Sequence, residues 1–116
     1  MNESIPLNIK KSIDELIIET KKMFENHLKK IILYGSYARG DYNSSSDIDI
    51  MILTDLNEKE MDYYREKIWD FAYDIELKND VIISPAIRNI NDYNERIEYI
   101  PFYYNIETEG VILHAA

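Results

Sequence analysis

Two aspartates, Asp47 and Asp49, have the type and spacing to bind a metal ion. They open an isoleucine-rich run that predicts a β-strand over residues 47–54. Residues two apart in a strand point to the same side, with Cα atoms roughly 6.5 to 7 Å apart, so the two carboxylates can converge on one cation or a close pair. Such oxygens suit Mg²⁺, which completes its shell with water and phosphates. By itself the pair is better explained as strand-end polarity, because the pattern is common.

A glycine and a serine, Gly35 and Ser36, supply a second feature. They follow the apolar run 31–34, which predicts a buried strand. Glycine lets the backbone leave the strand sharply, and Ser36 adds a hydroxyl at the start of a short helix, where anions are favoured. A phosphate-binding turn beside two carboxylates could hold a metal-nucleotide. The chain contains no P-loop, dinucleotide-binding or EF-hand pattern that would compete with this interpretation.

These residues carry a family resemblance. The pattern is a glycine-serine turn, a short polar connection and an aspartate pair, formed by Gly35, Ser36, Ala38, Arg39, Gly40, Ser46, Asp47 and Asp49. It resembles the minimal nucleotidyltransferase (MNT) domain of the DNA polymerase beta superfamily, specifically over residues 31–53 and more loosely to about residue 87. The resemblance implies an α+β fold whose mixed central sheet carries helices mainly on one face.

The resemblance also implies a chemistry. Gly35 and Ser36 would grip nucleotide phosphates, and Asp47 and Asp49 would bind two Mg²⁺ ions. The reaction would transfer a nucleoside monophosphate, usually AMP from ATP, with pyrophosphate leaving. The family pattern includes a third carboxylate on a later strand that binds the catalytic metal and can act as base. We predict Asp80 for this part, with Glu76 as the rival, although both also fit an ordinary surface loop.

Other residues near the pattern have two interpretations each. Arg39 could hold a phosphate, and an arginine beside an acidic loop is equally often a structural ion pair. Tyr37 and Tyr42 could stack on a base, but the ten tyrosines of the chain more often indicate packing in a core or interface. The two histidines lack any metal-ligand spacing.

Resemblance further suggests a protein partner. Some MNT proteins are the antitoxin of a HEPN/MNT toxin-antitoxin pair and add AMP to tyrosine hydroxyls of a HEPN-domain ribonuclease. One alternative is a non-catalytic antitoxin that inhibits its partner by occlusion. Another is transfer to a small hydroxylated molecule such as an aminoglycoside, which resembles larger members of the superfamily that have an additional helical domain.

Length and composition fit this prediction. The 116 residues suffice for a single domain over residues 1–116, too small to include a separate substrate domain, so we expect a homo- or hetero-oligomer. The formal charge of −9 opposes binding of extended nucleic acid. The absence of cysteine and of an apolar run near the roughly 20 residues of a membrane span leads us to expect a soluble, cytoplasmic protein.

The elements that must position these residues follow from periodicity and from turn signals. Apolar residues at steps of three and four predict helices over 8–28 and from about 58 to 77. A short helix over 36–39 should end at Gly40, and residues 41–46 should form a loop. A third strand is expected over 80–84, stopped by Pro85, with 86–88 as a possible edge extension. A short helix after Asn91 and a last helix from Pro101 to Gly110 precede the tail 111–113, which should add to the sheet edge or a partner.

Overall fold

A computed structural model describes residues 5–116, which form five α-helices and four β-strands. In chain order they are α1 (Leu7–Phe24), β1 (Leu28–Tyr34), α2 (Ser36–Arg39), β2 (Ile48–Thr54), α3 (Glu58–Asn79), β3 (Ile83–Asn89), α4 (Ile90–Arg96), α5 (Pro101–Glu109) and β4 (Val111–Ala115). Within this part of the chain, no helix is both long and apolar enough to cross a lipid bilayer.

The four strands form one mixed sheet in the order β3-β2-β1-β4. β1 is antiparallel to both β2 and β4, whereas β2 and β3 run parallel. The predicted α+β fold with a mixed central sheet is therefore confirmed. The predicted tail 111–113 adds to the sheet edge as β4, beside β1.

The two faces of the sheet are covered by different helices. On one face, Ile50 and Ile52 of β2 pack in a core with residues of the long helices α1 and α3. On the other, Met51 and Leu53 pack with residues of the short helices α4 and α5. Because side chains alternate along a strand, Asp49 points to the same side as Met51 and Leu53. Asp49 therefore lies on the face that the short helices cover.

The prediction for α1 was too long at its carboxyl end. The helix ends at Phe24, a 3₁₀ turn covers Glu25–His27, and Leu28 already belongs to β1. Glu25 has a φ of +52°, which a continuing right-handed helix does not allow. Phe24 and Leu28 are both buried and four residues apart, so the helical spacing continues across a junction where the helix itself does not.

The prediction for β3 was wrong in its boundaries. The strand runs from Ile83 to Asn89 and passes through Pro85, which was expected to stop it. β3 pairs with β2 alone and is an edge strand of the sheet, where a missing backbone donor is tolerated. Asp80 consequently lies before the strand, as the C-cap of α3 in the left-handed conformation.

The end of α2 and the starts of α3 and α5 lie where local chemistry predicts, whereas α4 begins at Ile90, before the expected start after Asn91, because the side chain of Asn89 caps it. α2 spans four residues, and Gly40 follows it in the left-handed conformation. α3 begins with a capping box, in which Asn57 and Glu60 bond reciprocally through side chain and backbone. α5 has Pro101 in its first turn and is followed by Gly110.

Candidate active site at the ends of β1 and β2

Gly35 and Asp49 lie in direct contact where β1 ends and β2 begins. Tyr34, the last residue of β1, pairs across the strands with Asp49, and Gly35 follows with a φ of +75°. A Cβ atom added to Gly35 would lie 2.2 Å from Oδ2 of Asp49. Glycine at this position therefore allows both the backbone turn and the close approach of the carboxylate.

Asp47 precedes β2 and is bonded to a residue that sequence reasoning missed. The hydroxyl of Ser84 donates a hydrogen bond to Oδ2 of Asp47 at 3.2 Å. Ser84 pairs with Asp49 in the parallel ladder between β2 and β3, so it lies beside both aspartates. The signal that could have found Ser84 was the register of β3, which the expected stop at Pro85 obscured.

The two carboxylates are close enough to influence each other electrostatically. Burial raises the pKa of Asp49 above its ordinary value, the negative charge of Asp47 raises it further, and the Arg39 guanidinium opposes both effects. Two half-buried carboxylates that repel each other are the donor set that a divalent cation would neutralise. Their chemistry therefore fits the Mg²⁺ that the sequence predicts.

The structure does not bring a third carboxylate to this pair. Asp80 is exposed at the end of α3, and Glu76 accepts a hydrogen bond from the backbone N–H of Ile83 at 3.0 Å. Among residues 5–116, no group of three or more His, Cys, Asp or Glu side chains is arranged to hold a metal ion. The predicted part of Asp80 in metal binding stays a prediction that this geometry does not support.

One cavity joins the glycine-serine turn to Asp49. This cavity, the Asp49 cavity, has a volume of about 470 Å³ and is lined by Gly35, Ser36, Arg39 and Asp49. Its opposite wall comes from α5, through Phe102, Asn105, Ile106 and Glu109. The α5 residues were not expected from the sequence, because their approach to β1 depends on the tertiary packing of a distant segment.

Arg39 is held by acidic side chains at this cavity. Its Nε donates to Oδ2 of Asp41 at 3.2 Å, and its Nη1 donates to Oε2 of Glu109 at 3.4 Å. Arg39 therefore forms structural ion pairs, which is one of the two roles that the sequence predicts for it. The guanidinium also lines the Asp49 cavity, so it would lie near an anion bound there.

Tyr34 supplies a phenol to the wall of the Asp49 cavity. Its ring packs edge-on against Phe102, with ring centroids 5.6 Å apart. Burial, and to a smaller extent the charge of Asp49, raises the pKa of Tyr34 to about 12, with Arg88 opposing. The hydroxyl therefore keeps its proton at neutral pH and can donate a hydrogen bond.

A second cavity lies on the other side of α2. This cavity, the Tyr42 cavity, has a volume of about 580 Å³, and its lining includes Tyr37, Tyr42, Asn43, Ser44, Ser46 and Asp80. The Tyr37 and Tyr42 rings are stacked, with centroids 4.7 Å apart and planes inclined by 22°. Asp80 lines this Tyr42 cavity, whereas Asp49 lines the Asp49 cavity, so the two carboxylates belong to different cavities.

Comparison with known proteins gives consistent matches. The family described as "Nucleotidyltransferase domain" matches residues 13–111. "Putative protein adenylyltransferase MJ0604" of Methanocaldococcus jannaschii is 36% identical over 108 residues, covering 93% of this chain and 100% of that protein.

Two solved structures share the fold. "Structure of putative minimal nucleotidyltransferase" has a TM-score of 0.55 at 14% identity and covers 95% of this chain and 98% of that one. "Crystal structure of the toxin-antitoxin with AMP-PNP" has a TM-score of 0.54 at 20% identity and covers 89% of this chain and 73% of that one. At these identities the likeness concerns the fold alone.

Proposed function

Because this chain belongs to the nucleotidyltransferase domain family, we propose that it transfers AMP from ATP to a tyrosine hydroxyl of a HEPN-domain toxin. One observation carries the proposal: the Asp49 carboxylate lies directly against Gly35, in a cavity shared with Ser36 and Arg39. The turn proposed to bind phosphate and the carboxylate proposed to bind metal are thus adjacent. The similar protein of M. jannaschii bears the name "Putative protein adenylyltransferase MJ0604", which supports AMP as the transferred group and a protein as acceptor.

Asp47 and Asp49 are the residues that would hold Mg²⁺, because a divalent cation would neutralise two half-buried carboxylates that repel each other. A Mg²⁺ ion held by these carboxylates would supply positive charge that offsets negative charge on the phosphate oxygens. Ser84 fixes Asp47 through its hydrogen bond, so the carboxylate is oriented before any ligand arrives.

The protein groups around the Asp49 cavity would position the nucleotide. The backbone at Gly35 and the hydroxyl of Ser36 donate to phosphate oxygens, and Arg39 exchanges one of its carboxylate partners for a phosphate. Phe102 and Tyr34 would form the aromatic part of the wall beside the nucleotide.

The transfer itself is a single displacement at phosphorus. The acceptor hydroxyl oxygen forms a bond to the α-phosphorus of ATP, and the bond from that phosphorus to the oxygen bridging the β-phosphorus breaks. Pyrophosphate leaves with the electron pair of the broken bond, and the hydroxyl proton passes to a nearby carboxylate or to solvent. Asp80, predicted as the third carboxylate, and Glu76, its rival, are the candidates to be tested for receiving that proton.

A toxin as the partner is supported by the fold shared with a toxin-antitoxin whose structure was solved with AMP-PNP, and its HEPN class follows from the family resemblance. A charge of −9 also disfavours extended nucleic acid as the acceptor. A folded toxin surface would supply the binding area that this small chain lacks.

Incubation with α-labelled ATP, Mg²⁺ and a HEPN-domain partner is the test. The wild type is expected to label the partner, and Asp47→Asn or Asp49→Asn should reduce labelling at least about a hundredfold, since loss of groups that only orient metal ligands already costs 10- to 100-fold. Asp70→Asn, an exposed position on α3, is the matched control. Equal labelling by all variants would refute the mechanism. Asp80→Asn and Glu76→Gln in the same assay decide between the two candidate carboxylates.

A second candidate function is inhibition of the partner by occlusion without catalysis. The observation that favours it is the absence, among residues 5–116, of a third acidic side chain grouped with Asp47 and Asp49. Suppression of the partner by the Asp47→Asn, Asp49→Asn double variant at the wild-type level would support occlusion. Loss of suppression would support AMP transfer.

A further inference from the structure

We propose that the acceptor protein docks, through a basic surface, on an open cavity at the start of α5. This third cavity, the Tyr99 cavity, has a volume of about 300 Å³ and is lined by Glu98, Tyr99, Pro101, Tyr104 and Asn105. The inference rests on the proposed function, because it assumes that the nucleotide phosphates occupy the Asp49 cavity. It assigns an interaction surface to the molecule and a charge to the partner that fits it.

The first support is that the Tyr99 cavity adjoins the candidate site. Asn105 lines both the Tyr99 cavity and the Asp49 cavity. It is three residues after Phe102, which lines the Asp49 cavity, and four after Pro101, which lines the Tyr99 cavity. Residues at these spacings are neighbours on a helix surface. A protein seated on the Tyr99 cavity therefore lies at the border of the site, where it can extend an acceptor side chain toward bound phosphates.

The second support is the exposure of two aromatic rings in one place. Tyr99 is 78% exposed and Tyr104 is 54% exposed, and both line the Tyr99 cavity beside Pro101. A single apolar side chain on a surface needs no explanation, but tyrosine is enriched among the few residues that dominate binding energy at protein interfaces. Two exposed tyrosines that share a cavity are therefore candidates for interface anchors.

The third support is the fixed backbone that carries these rings. Tyr103 and Ile106 are buried and hold α5 in the core on its side of the sheet. In the turn before α5, the N–H groups of Tyr99 and Ile100 each donate to the carbonyl oxygen of Arg96 at 3.0 Å. A surface that is already ordered loses little conformational freedom when a partner binds. The Tyr99 cavity is thus preorganised for docking.

The fourth support is charge, which selects the occupant. Residues 90–110 contain five acidic side chains and one arginine, Arg96, whose Nε lies 2.9 Å from Oδ1 of Asp92. Glu95 and Glu98 are both exposed. A second copy of this chain would place like charges opposite each other across a two-fold interface, and a nucleotide anion would be repelled. A protein with lysine or arginine near its acceptor hydroxyl would be attracted.

The binding test measures the affinity of the HEPN-domain partner by calorimetric titration in the absence of ATP. Tyr99→Ala and Tyr104→Ala should each weaken binding at least about tenfold, because truncation of an interface anchor costs more than about 1 kcal/mol. Tyr73→Ala is the matched control, since Tyr73 is 58% exposed on α3, which covers the other face of the sheet. That control should bind within about twofold of the wild type. ATP affinity should be unchanged in all three variants, which also shows that they fold.

A charge reversal tests the chemistry of the partner. Glu98→Lys and Asp70→Lys each replace an exposed acidic residue by lysine and change the net charge equally. Glu98→Lys should weaken binding about tenfold more than Asp70→Lys at low salt, and the difference should shrink as ionic strength rises, because exposed charges are screened. Equal weakening by the two reversals would show that only net charge matters and would overturn the inference.

The transfer assay separates the docking surface from the activity. Tyr99→Ala should raise KM for the protein acceptor about tenfold while KM for ATP stays unchanged. AMP transfer with a wild-type acceptor KM in both tyrosine variants would overturn the docking surface and leave the activity intact. Binding that depends on Tyr99 and Tyr104 without any AMP transfer would support the surface and overturn the proposed activity.

Three further results would overturn the inference. Loss of ATP affinity in Tyr99→Ala at unchanged stability would place the nucleotide base in the Tyr99 cavity. Self-association of the wild type that Tyr99→Ala abolishes would assign the surface to a second copy of the chain. Failure of the wild type to bind the HEPN-domain partner would overturn both the docking surface and the proposed acceptor.

Discussion

Gly35 is the residue at which backbone conformation and carboxylate position depend on each other. In Gly35→Ala the new Cβ would lie 2.2 Å from Oδ2 of Asp49, at a φ of +75° that alanine disfavours. We expect ATP affinity to fall at least about tenfold as Asp49 is displaced, and stability to fall by about 1 to 3 kcal/mol from strain and overpacking. Calorimetric titration with ATP and urea unfolding measure the two effects.

Gly40→Ala is the matched control for this substitution. Gly40 also has a positive φ, +91°, but a Cβ there would meet nothing within 4 Å. The variant should lose about 1 kcal/mol of stability and keep its ATP affinity. A parallel loss of affinity in both variants would mean that strain in α2, rather than contact with Asp49, is responsible.

The charge of Asp49 gives a pH-dependent prediction for the metal-free protein. Burial and the charge of Asp47 raise the pKa of Asp49, so the folded state keeps this proton to a higher pH than the unfolded state. Stability from this group therefore falls as pH rises from the unfolded pKa through the folded pKa, and the full cost is present above the folded pKa.

Asp49→Asn removes that cost. We expect it to raise the free energy of unfolding in chelator-treated protein at about pH 7, with the gain disappearing at about pH 3, where the carboxyl is protonated in both states. Urea unfolding at both pH values measures the change. The exposed Asp70→Asn substitution corrects for the reduced net charge, and an equal gain in that variant would contradict the prediction.

Ser84 gives a prediction about metal affinity. Ser84→Ala removes the hydroxyl that donates to Asp47, whereas Ser84→Thr keeps a hydroxyl and suits a strand. Mn²⁺ affinity, measured by electron paramagnetic resonance, should fall about tenfold in the alanine variant and change little in the threonine variant. Wild-type affinity in Ser84→Ala would show that the hydrogen bond does not orient Asp47.

At the residue scale, the sequence predicts some of the contacts in the site and misses others. Gly35 directly follows β1, whose last residue pairs with Asp49 on the adjacent antiparallel strand, so their contact follows from a local pattern. Ser84 reaches Asp47 only through the parallel pairing of β2 with β3, a non-local contact without a signal in the spacing. Asp80 was assigned by analogy, and the cap of α3 places it at the other cavity.

Among the elements, α5 forms a wall of the Asp49 cavity and is tied to α4 by one buried hydroxyl. Tyr93 is fully buried, and its hydroxyl bonds to Oε2 of Glu107 at 3.0 Å. Tyr93→Phe should lower the free energy of unfolding by about 1 kcal/mol, the usual net value of such a bond. Tyr104→Phe, an exposed position on α5, should change it by less than about 0.5 kcal/mol in the same urea titration. Equal losses of unfolding free energy in the two variants would show that the buried hydroxyl of Tyr93 stabilises the fold no more than an exposed one.

Elements whose ends are set by local interactions are predictable from the sequence, whereas elements that depend on contacts between distant residues are not. Gly40 and Pro101 act on their own backbone, so the ends of α2 and the start of α5 were predicted correctly. β3 depends on its pairing with β2, and that pairing carries the strand through Pro85 at the sheet edge. Leu28 keeps a helical spacing although it is the first residue of a strand, so periodicity alone could not locate the junction.

For the whole molecule, Mg²⁺ should act as a stabilising ligand. A cation at ten times its Kd raises the free energy of unfolding by about 1.4 kcal/mol, a thermal shift of a few degrees for a chain of this size. The Asp47→Asn, Asp49→Asn double variant should lose this shift. Since any salt screens a net charge of −9, KCl at matched ionic strength is the control for scanning calorimetry. An equal shift with KCl would exclude a specific cation site.

The smallest helix has a consequence for how ligands influence each other. α2 has four residues and separates the Asp49 cavity from the Tyr42 cavity, so any ligand that moves this turn reshapes both. The two cavities are then thermodynamically linked, and whatever factor the first ligand applies to the affinity of the second, the second applies to the first. Titrations of the two ligands in either order should therefore give the same coupling factor, which would make this single helical turn the element that links the two cavities.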